Sequence, residues 1–200
     1  MNYLAHIYLS ENHDQVTIGN FIADGNGITG KSYQKFPKAI QVGILLHRQI
    51  DTFTDAHLTV KQSKKRLHKN YGHYSGIIVD IFYDHFLAKN WSKYSDIPLA
   101  DYAQNFYTLL QSNYEELPER TQYLLPYMKK ANWLVSYATI DGIEKVLMGM
   151  DKRTKNLSKM HLSINELQTH YDEFEAEFTS FFNELCAFSH TKLKTILETI

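Results

Sequence analysis

The sequence has few of the residues that mark several common protein classes. Its single cysteine, Cys186, excludes both a disulfide within the chain and a zinc site built from several thiolates. Only four prolines and nine glycines occur in 200 residues, and no G-x-S-x-G, P-loop or dinucleotide-binding fingerprint is present. The formal net charge is −1, so the basic excess of a nucleic-acid-binding protein is missing and we expect no nucleic-acid partner.

Long apolar segments are missing too. No run approaches the roughly 20 apolar residues that a membrane-spanning helix needs. The first residues, MNYLAHIYLS, are apolar but carry no Lys or Arg, and no small-residue cleavage site follows them. We therefore expect no signal peptide, no membrane partner and a reducing, cytoplasmic location.

Helical periodicity is what the chain has in abundance, whereas strand-like alternation is hard to find. A length of 200 residues suits one well-cored domain, and no linker or repeat divides it. The apolar pattern predicts helices from about Pro37 through AIQVGILLHRQIDTF, and over 58–69, 74–90, 98–110, 119–137, 140–150 and 163–188. We predict a single all-α domain over residues 1–200, a bundle of about eight helices.

The segment LHRQIDTFTD, residues 46–55, is the strongest candidate for chemistry. His47 and Asp51 are four residues apart, so on a helix they share one face, and Asp55 continues the same row. Imidazole and carboxylate ligands together suit a divalent metal such as Mn²⁺ or Fe²⁺. The alternative is an ordinary His–Asp pair on a helix surface, and spacing alone does not decide between the two.

A second group of polar residues lies in the most apolar predicted helix. Asp80 and Asp84 are four residues apart, and His85 follows, within SGIIVDIFYDHFLAKNW. Buried carboxylates are costly unless they are paired, hydrogen-bonded or metal-bound. A solvent-facing stripe explains one Asp easily, but it explains the three residues together less well because they span a wide arc of the helix.

Two further polar residues stand in apolar surroundings near the N-terminus. They are His6 in NYLAHIYL and Asp24 in GNFIAD. Each alone is more typical of a satisfied core or surface residue. Four helical segments nevertheless each offer a His or an Asp, and helical bundles build metal sites from side chains on facing helices.

Several of these segments together resemble a known family. NYLAHIYL, GNFIAD, GILLHRQIDTFTD, DIFYDHFLAKNW and GIEKVLMGM are similar, in order and spacing, to the acyl carrier protein phosphodiesterase family. The similarity covers about residues 1–190, and HRQIDTFTD and YDHFLAKNW are its most specific blocks. Members of that family are regarded as divergent relatives of the HD-domain phosphohydrolases, so the resemblance implies an HD-domain-like helical fold.

The resemblance also implies an activity and a site. The family hydrolyses holo-acyl carrier protein to apo-carrier protein and 4′-phosphopantetheine with a divalent cation, typically Mn²⁺; Mg²⁺ and Fe²⁺ are the alternatives. The residues it points to as the polar core are His6, Asp24, His47, Asp51, Asp84 and His85. This chain has Asp84 followed by His85 where the usual HD pattern has His followed by Asp.

The resulting hypothesis gives each polar residue a role. His6, His47, Asp51, Asp84 and His85 are the candidate metal ligands, with Asp24 as a further candidate in the site. Arg48, or a nearby Lys, would stabilise charge on the phosphate. Asp55 or Asp80 would orient the water or a ligand His.

The protein substrate implies a basic docking surface, because carrier proteins are usually acidic beside their modified serine. Lys61, Lys65 and Lys69 form one helical row with Lys64 beside them. A second cluster contains Lys152, Arg153, Lys155 and Lys159. Either could instead be a solvated face. Two rival functions also stay open at this point, namely an HD-like phosphohydrolase of a nucleotide or other small phosphodiester, and a non-catalytic helical protein that binds a carrier protein.

Overall fold

Every regular element of the protein is helical in the computed structural model, which describes residues 1–200. Eight α-helices have nine residues or more and three are shorter, so the predicted all-α architecture of about eight helices is confirmed. None of them combines the length and apolar character that crossing a membrane requires. The α-helices are α1 (Tyr3–Tyr8), α2 (Asp14–Ile22), α3 (Lys38–Ala56), α4 (Leu58–Tyr71), α5 (Ser75–Lys89), α6 (Leu99–Ser112), α7 (Glu119–Ala131), α8 (Trp133–Ser136), α9 (Ile140–Arg153), α10 (Ile164–Thr169) and α11 (Tyr171–Thr199).

Two of the predicted helices are each broken once. The segment 119–137 divides at Asn132, whose φ of 44° is left-handed, a conformation that asparagine tolerates better than most residues. The segment 163–188 divides at His170, and the helix after it continues to Thr199. Buried Leu167 and Phe174 are seven residues apart across His170, so helical periodicity does not reveal that second break.

The apolar pattern gave no bounds for α2, whose last residues belong to the helical segment GNFIAD that begins at Gly19. The structure shows why a glycine stands there. A Cβ on Gly19 would lie 2.2 Å from the carbonyl oxygen of Ile40, and a Cβ on Gly43 would lie 2.1 Å from the carbonyl oxygen of Val16. α2 and α3 therefore cross with their backbones in contact, which brings Asn20 against α3.

We expect Gly43→Ala to destabilise the fold. The new methyl group would force α2 away from α3, and such overpacking costs about 1–3 kcal/mol of unfolding free energy. Urea denaturation monitored by circular dichroism measures the loss. The matched control is Gly149→Ala in α9, where an added Cβ meets nothing within 4 Å; it should be neutral or stabilising because alanine is the better helix former. Equal stabilities for the two variants would contradict the close crossing.

The long helix α11 supports the side of the bundle behind α3, α4 and α5. Its aromatic side chains Phe174, Phe178 and Phe181 are completely buried in the main core. Glu177 on the same helix accepts two hydrogen bonds from the guanidinium of Arg66 in α4, at 2.8 Å each. These contacts fix α3 and α5, which carry the candidate site on their other face.

Candidate metal centre

His6, His47 and Asp51 meet where α1 and α3 lie against α2. His6 Nε2 is 3.3 Å from Asp51 Oδ1, and His47 Nε2 is 3.1 Å from Asp51 Oδ2. The two imidazole rings stack with their centres 4.0 Å apart. One ligand atom from each residue lies within 4.8 Å of the other two, so the three side chains can hold one metal ion between them.

Asn20 of α2 decides which imidazole nitrogens face Asp51. Its Nδ2 donates to the His6 carbonyl oxygen at 2.8 Å and to Ser10 Oγ at 3.0 Å, so its Oδ1 is the atom that faces His6 Nδ1 at 2.8 Å. Its backbone oxygen is 2.9 Å from His47 Nδ1. Because carbonyl oxygens only accept, both Nδ1 atoms carry the proton, and in the neutral rings both Nε2 atoms present lone pairs to Asp51.

This arrangement fits a cation between the three side chains. Burial, and to a smaller extent the neighbouring His47, lower the pKa of His6 to about 4, so His6 is neutral at pH 7. His6 Nε2 is buried and has no hydrogen-bond partner. Two nitrogen lone pairs beside an ionised carboxylate repel one another unless a positive charge separates them. Two imidazoles and one carboxylate are a common set for divalent transition metals, and they leave coordination positions for water and substrate.

The cluster opens into a cavity of about 300 Å³, the metal cavity. Its lining includes Asp24, Asp55 and Asp80, three of the residues that the sequence hypothesis assigned to catalysis, together with His47 and Asp51. Its remaining lining residues are Met1, Asn2, Thr54, Ile77, Ile81 and Met150. The Met1 amino group lies 3.0 Å from Asp80 Oδ1 and 4.0 Å from Asp51 Oδ1. Four carboxylates therefore surround one small space.

Asp84, a predicted metal ligand, has both carboxylate oxygens engaged with the backbone of α1. Oδ2 accepts from the N–H of Leu4 at 2.8 Å and Oδ1 accepts from the N–H of Ala5 at 3.2 Å. Its side chain is completely buried, and this burial raises the pKa of Asp84 to about 7. Since α1 carries His6, Asp84 holds the helix that supplies one of the clustered imidazoles.

His85 and Arg48 also bind groups of the fold. His85 Nδ1 donates to the carbonyl oxygen of Tyr137 at 2.8 Å, and its Nε2 accepts from the hydroxyl of Tyr171 at 2.7 Å. The guanidinium of Arg48 donates to the carbonyl oxygen of Gly30 at 2.8 Å. Neither side chain lines the metal cavity, so the structure does not bring them to the cluster of His6, His47 and Asp51.

Comparison with known proteins identifies the family. The sequence model described as acyl carrier protein phosphodiesterase matches residues 1–185. The chain belongs to the acyl carrier protein phosphodiesterase family. The acyl carrier protein phosphodiesterase of Enterobacter sp. (strain 638) is 32% identical over 183 residues, which covers 91% of this chain and 94% of that protein.

Two further relatives carry the same name. The acyl carrier protein phosphodiesterase of Pectobacterium atrosepticum is 31% identical over 96% of this chain and 99% of its own length. That of Escherichia coli O139:H28 is 31% identical over 94% of this chain and 96% of its own length. No solved structure matches the chain, so the HD-like character of the fold stays a prediction.

The four lysines predicted to contact a partner all lie on α4. Lys61, Lys65 and Lys69 are exposed. The side chain of Lys64 is partly buried, and its Nζ donates to Asp55 Oδ1 at 2.7 Å. Because Asp55 lines the metal cavity, Lys64 lies at the rim of that cavity.

Asn20 is the residue of the site that the sequence hypothesis missed, although an amide between Gly19 and Phe21 in an apolar segment was a signal.

We expect Asn20→Ala to weaken Mn²⁺ binding about 10- to 100-fold, because partners that orient metal-binding imidazoles contribute on that scale. Isothermal titration calorimetry measures the affinity. Asn105→Ala, an exposed position on α6, is the control and should bind Mn²⁺ like the parent protein. Unchanged affinity in a folded Asn20→Ala protein would contradict the role of Asn20.

Proposed function

We propose that the chain hydrolyses the phosphodiester of holo-acyl carrier protein, releasing 4′-phosphopantetheine and apo-carrier protein, with a divalent cation as cofactor. Family membership over almost the whole chain supports the substrate. The observation that supports the chemistry is the pair of imidazole nitrogens facing the Asp51 carboxylate. The cytoplasm, where Cys186 stays reduced, is the compartment that we propose for this reaction.

The proposed ligands are His6, His47 and Asp51. Mn²⁺, with Mg²⁺ or Fe²⁺ as the alternatives, supplies Lewis acidity there when bound, which activates water and polarises the phosphoryl group. Asp80 and Asp24 line the same cavity, and we propose that their carboxylates accept hydrogen bonds from the attacking water and orient it. This proposal keeps Asp80 and Asp24 in the reaction and changes the role of Asp84 from ligand to support of α1.

The phosphate charge needs a cation besides the metal, and Lys64 is better placed for this role than Arg48. Arg48 binds backbone carbonyl groups away from the cavity, whereas Lys64 already reaches a carboxylate of the cavity rim. When a phosphodiester enters, its negative charge competes with Asp55 for the ammonium group. Asp55 in this proposal holds Lys64 at the rim until substrate arrives.

We propose that the acidic surface of the carrier protein docks on the α4 row of Lys61, Lys65 and Lys69. Lys61→Glu with Lys65→Glu should raise the KM for holo-carrier protein about tenfold or more, because like charges across an interface cost several kcal/mol. The expected kcat is near that of the parent, since neither residue lines the metal cavity. Lys155→Glu with Lys159→Glu, in the second basic cluster, is the charge-matched control. A larger rise of KM in the control pair would transfer the docking surface to that cluster.

The decisive experiment incubates the purified protein with holo-carrier protein and Mn²⁺ and measures 4′-phosphopantetheine release by mass spectrometry. Release is expected with Mn²⁺ and not after chelation with EDTA. A nucleotide panel under the same conditions tests the small-substrate alternative, and faster turnover of any nucleotide would overturn the carrier-protein proposal. A preparation that binds no ion and stays inactive after Mn²⁺ addition would favour a non-catalytic carrier-binding protein.

A further inference from the structure

A larger cavity of about 550 Å³, the α9 cavity, lies next to the metal cavity. One face of α9 lines it, because residues at steps of three and four along a helix share a face. These residues are Gly142, Lys145, Val146, Gly149, Met150 and Arg153. Tyr3, Trp133 and Tyr137 add aromatic walls. None of the residues proposed for hydrolysis lines this space.

Two observations show that the α9 cavity and the metal cavity are neighbours. Met150 lines both of them. Asn2 lines the metal cavity, and its amide donates to the hydroxyl of Tyr137 in the α9 cavity at 3.4 Å. The two cavities therefore adjoin each other.

The chemistry of the walls suits an extended chain with amide groups and one anionic end. The volume falls within the range of small-molecule sites, about 300–1,000 Å³. Aromatic and aliphatic walls match methylene and methyl groups, and Lys145 and Arg153 add positive charge that suits an anionic group. Asp141 and Thr139 offer oxygen acceptors for amide N–H groups. The pantetheine arm of the proposed substrate has this composition: a phosphate, then methyl and methylene groups, two amides and a terminal thiol.

We propose that the α9 cavity binds the pantetheine arm of the carrier-bound substrate, with the phosphate directed toward His6, His47 and Asp51. This inference rests on the proposed function, and it assigns to α9 a part in substrate binding. The segment GIEKVLMGM then contributes to substrate binding as well as to helix packing. Gly142, Lys145, Val146 and Gly149 of this segment line the α9 cavity, and Met150 lines both cavities.

Gly149 provides a direct test because it leaves cavity space that a side chain would fill. A Cβ added there meets nothing within 4 Å, and the backbone is that of an ordinary α-helix. Leucine is a better helix former than glycine. Gly149→Leu should therefore keep the fold while occupying part of the α9 cavity, and Gly149→Ala should occupy less of it.

The experiment measures three quantities in the Mn²⁺-loaded protein. Gly149→Leu should weaken binding of free 4′-phosphopantetheine, measured by calorimetry, at least about tenfold, since single methylene changes in a pocket have effects of 10- to 200-fold. The KM for holo-carrier protein should rise in parallel. Turnover of bis(4-nitrophenyl) phosphate, a diester without the arm, should fall less than turnover of holo-carrier protein. Glu144→Leu, on the exposed face of the same helix, is the matched control and should leave all three quantities unchanged.

Each outcome separates the cavity from the proposed function. A folded Gly149→Leu protein that binds phosphopantetheine and holo-carrier protein like the parent would overturn the inference. A defect seen only with long acyl-carrier substrates would also overturn it, because the cavity would then hold the acyl chain. A parent protein that binds phosphopantetheine in a Gly149-dependent manner but releases none from holo-carrier protein would support the cavity assignment and refute the hydrolase proposal.

Discussion

Asp51→Ala should lose at least about 1,000-fold in kcat/KM on holo-acyl carrier protein, which corresponds to about 4 kcal/mol of transition-state stabilisation. Asp51 is the one carboxylate that lies within reach of both His6 Nε2 and His47 Nε2. Its removal leaves two imidazoles, which bind a divalent cation far more weakly than the complete set. Calorimetry should show a matching loss of Mn²⁺ affinity, and excess Mn²⁺ should restore little activity.

The fold of the Asp51→Ala protein should stay intact, since 45% of the Asp51 side chain is exposed. Thermal unfolding of the metal-free proteins tests this directly. Thr52→Ala is the matched control, because Thr52 follows Asp51 on α3, is exposed, and its hydroxyl donates only to the Arg48 carbonyl oxygen in its own helix. A folded Asp51→Ala protein that binds Mn²⁺ and hydrolyses holo-carrier protein at the parent rate would refute the proposed metal centre.

The sequence predicted which site residues share a helix face, but it did not predict which helices converge to form the site. Spacing of four residues placed His47 and Asp51 on one face of α3, and the structure brings their side chains together. The sequence also predicted that Asp80 lies on the helix that is α5, and Asp80 lines the metal cavity with Asp24 and Asp55. Spacing along one helix is a local property that the α-helix determines by itself. Which helices converge depends on packing, and no local pattern reports it.

Asp84 and Asn20 show where the sequence argument reached its limit. An aspartate among apolar residues of α5 indicated a buried group in need of partners, and Asp84 is completely buried. The requirement for partners does not say which partners, and here they are backbone N–H groups of α1. Asn20 was not among the candidate residues, and Gly19 beside it permits the close crossing of α2 and α3 that brings Asn20 against α3.

Asp84→Ala should destabilise the protein by about 2–6 kcal/mol, because each of two buried N–H groups left without a partner costs about 1–3 kcal/mol. The first turn of α1 depends on Asp84, because Asn2, the N-cap residue of α1, makes no capping hydrogen bond. The carboxylate of Asp84 caps these N–H groups instead, at the N-terminal end of α1, where negative charge is favourable. Urea denaturation should therefore report a large loss for Asp84→Ala.

Asp84→Asn separates support of α1 from metal ligation, because it keeps one oxygen acceptor and removes the negative charge. If Asp84 supports α1, we expect Asp84→Asn to be more stable than Asp84→Ala. The folded Asp84→Asn protein should also bind Mn²⁺ within about tenfold of the parent, a smaller change than the loss of a residue that directly orients the metal ligands produces. If Asp84 were itself a ligand, its Asn variant would instead resemble Asp51→Ala in Mn²⁺ affinity while differing little from the parent in stability. The first result is the expected one, because both carboxylate oxygens of Asp84 accept from backbone N–H groups of α1 and Asp84 does not line the metal cavity.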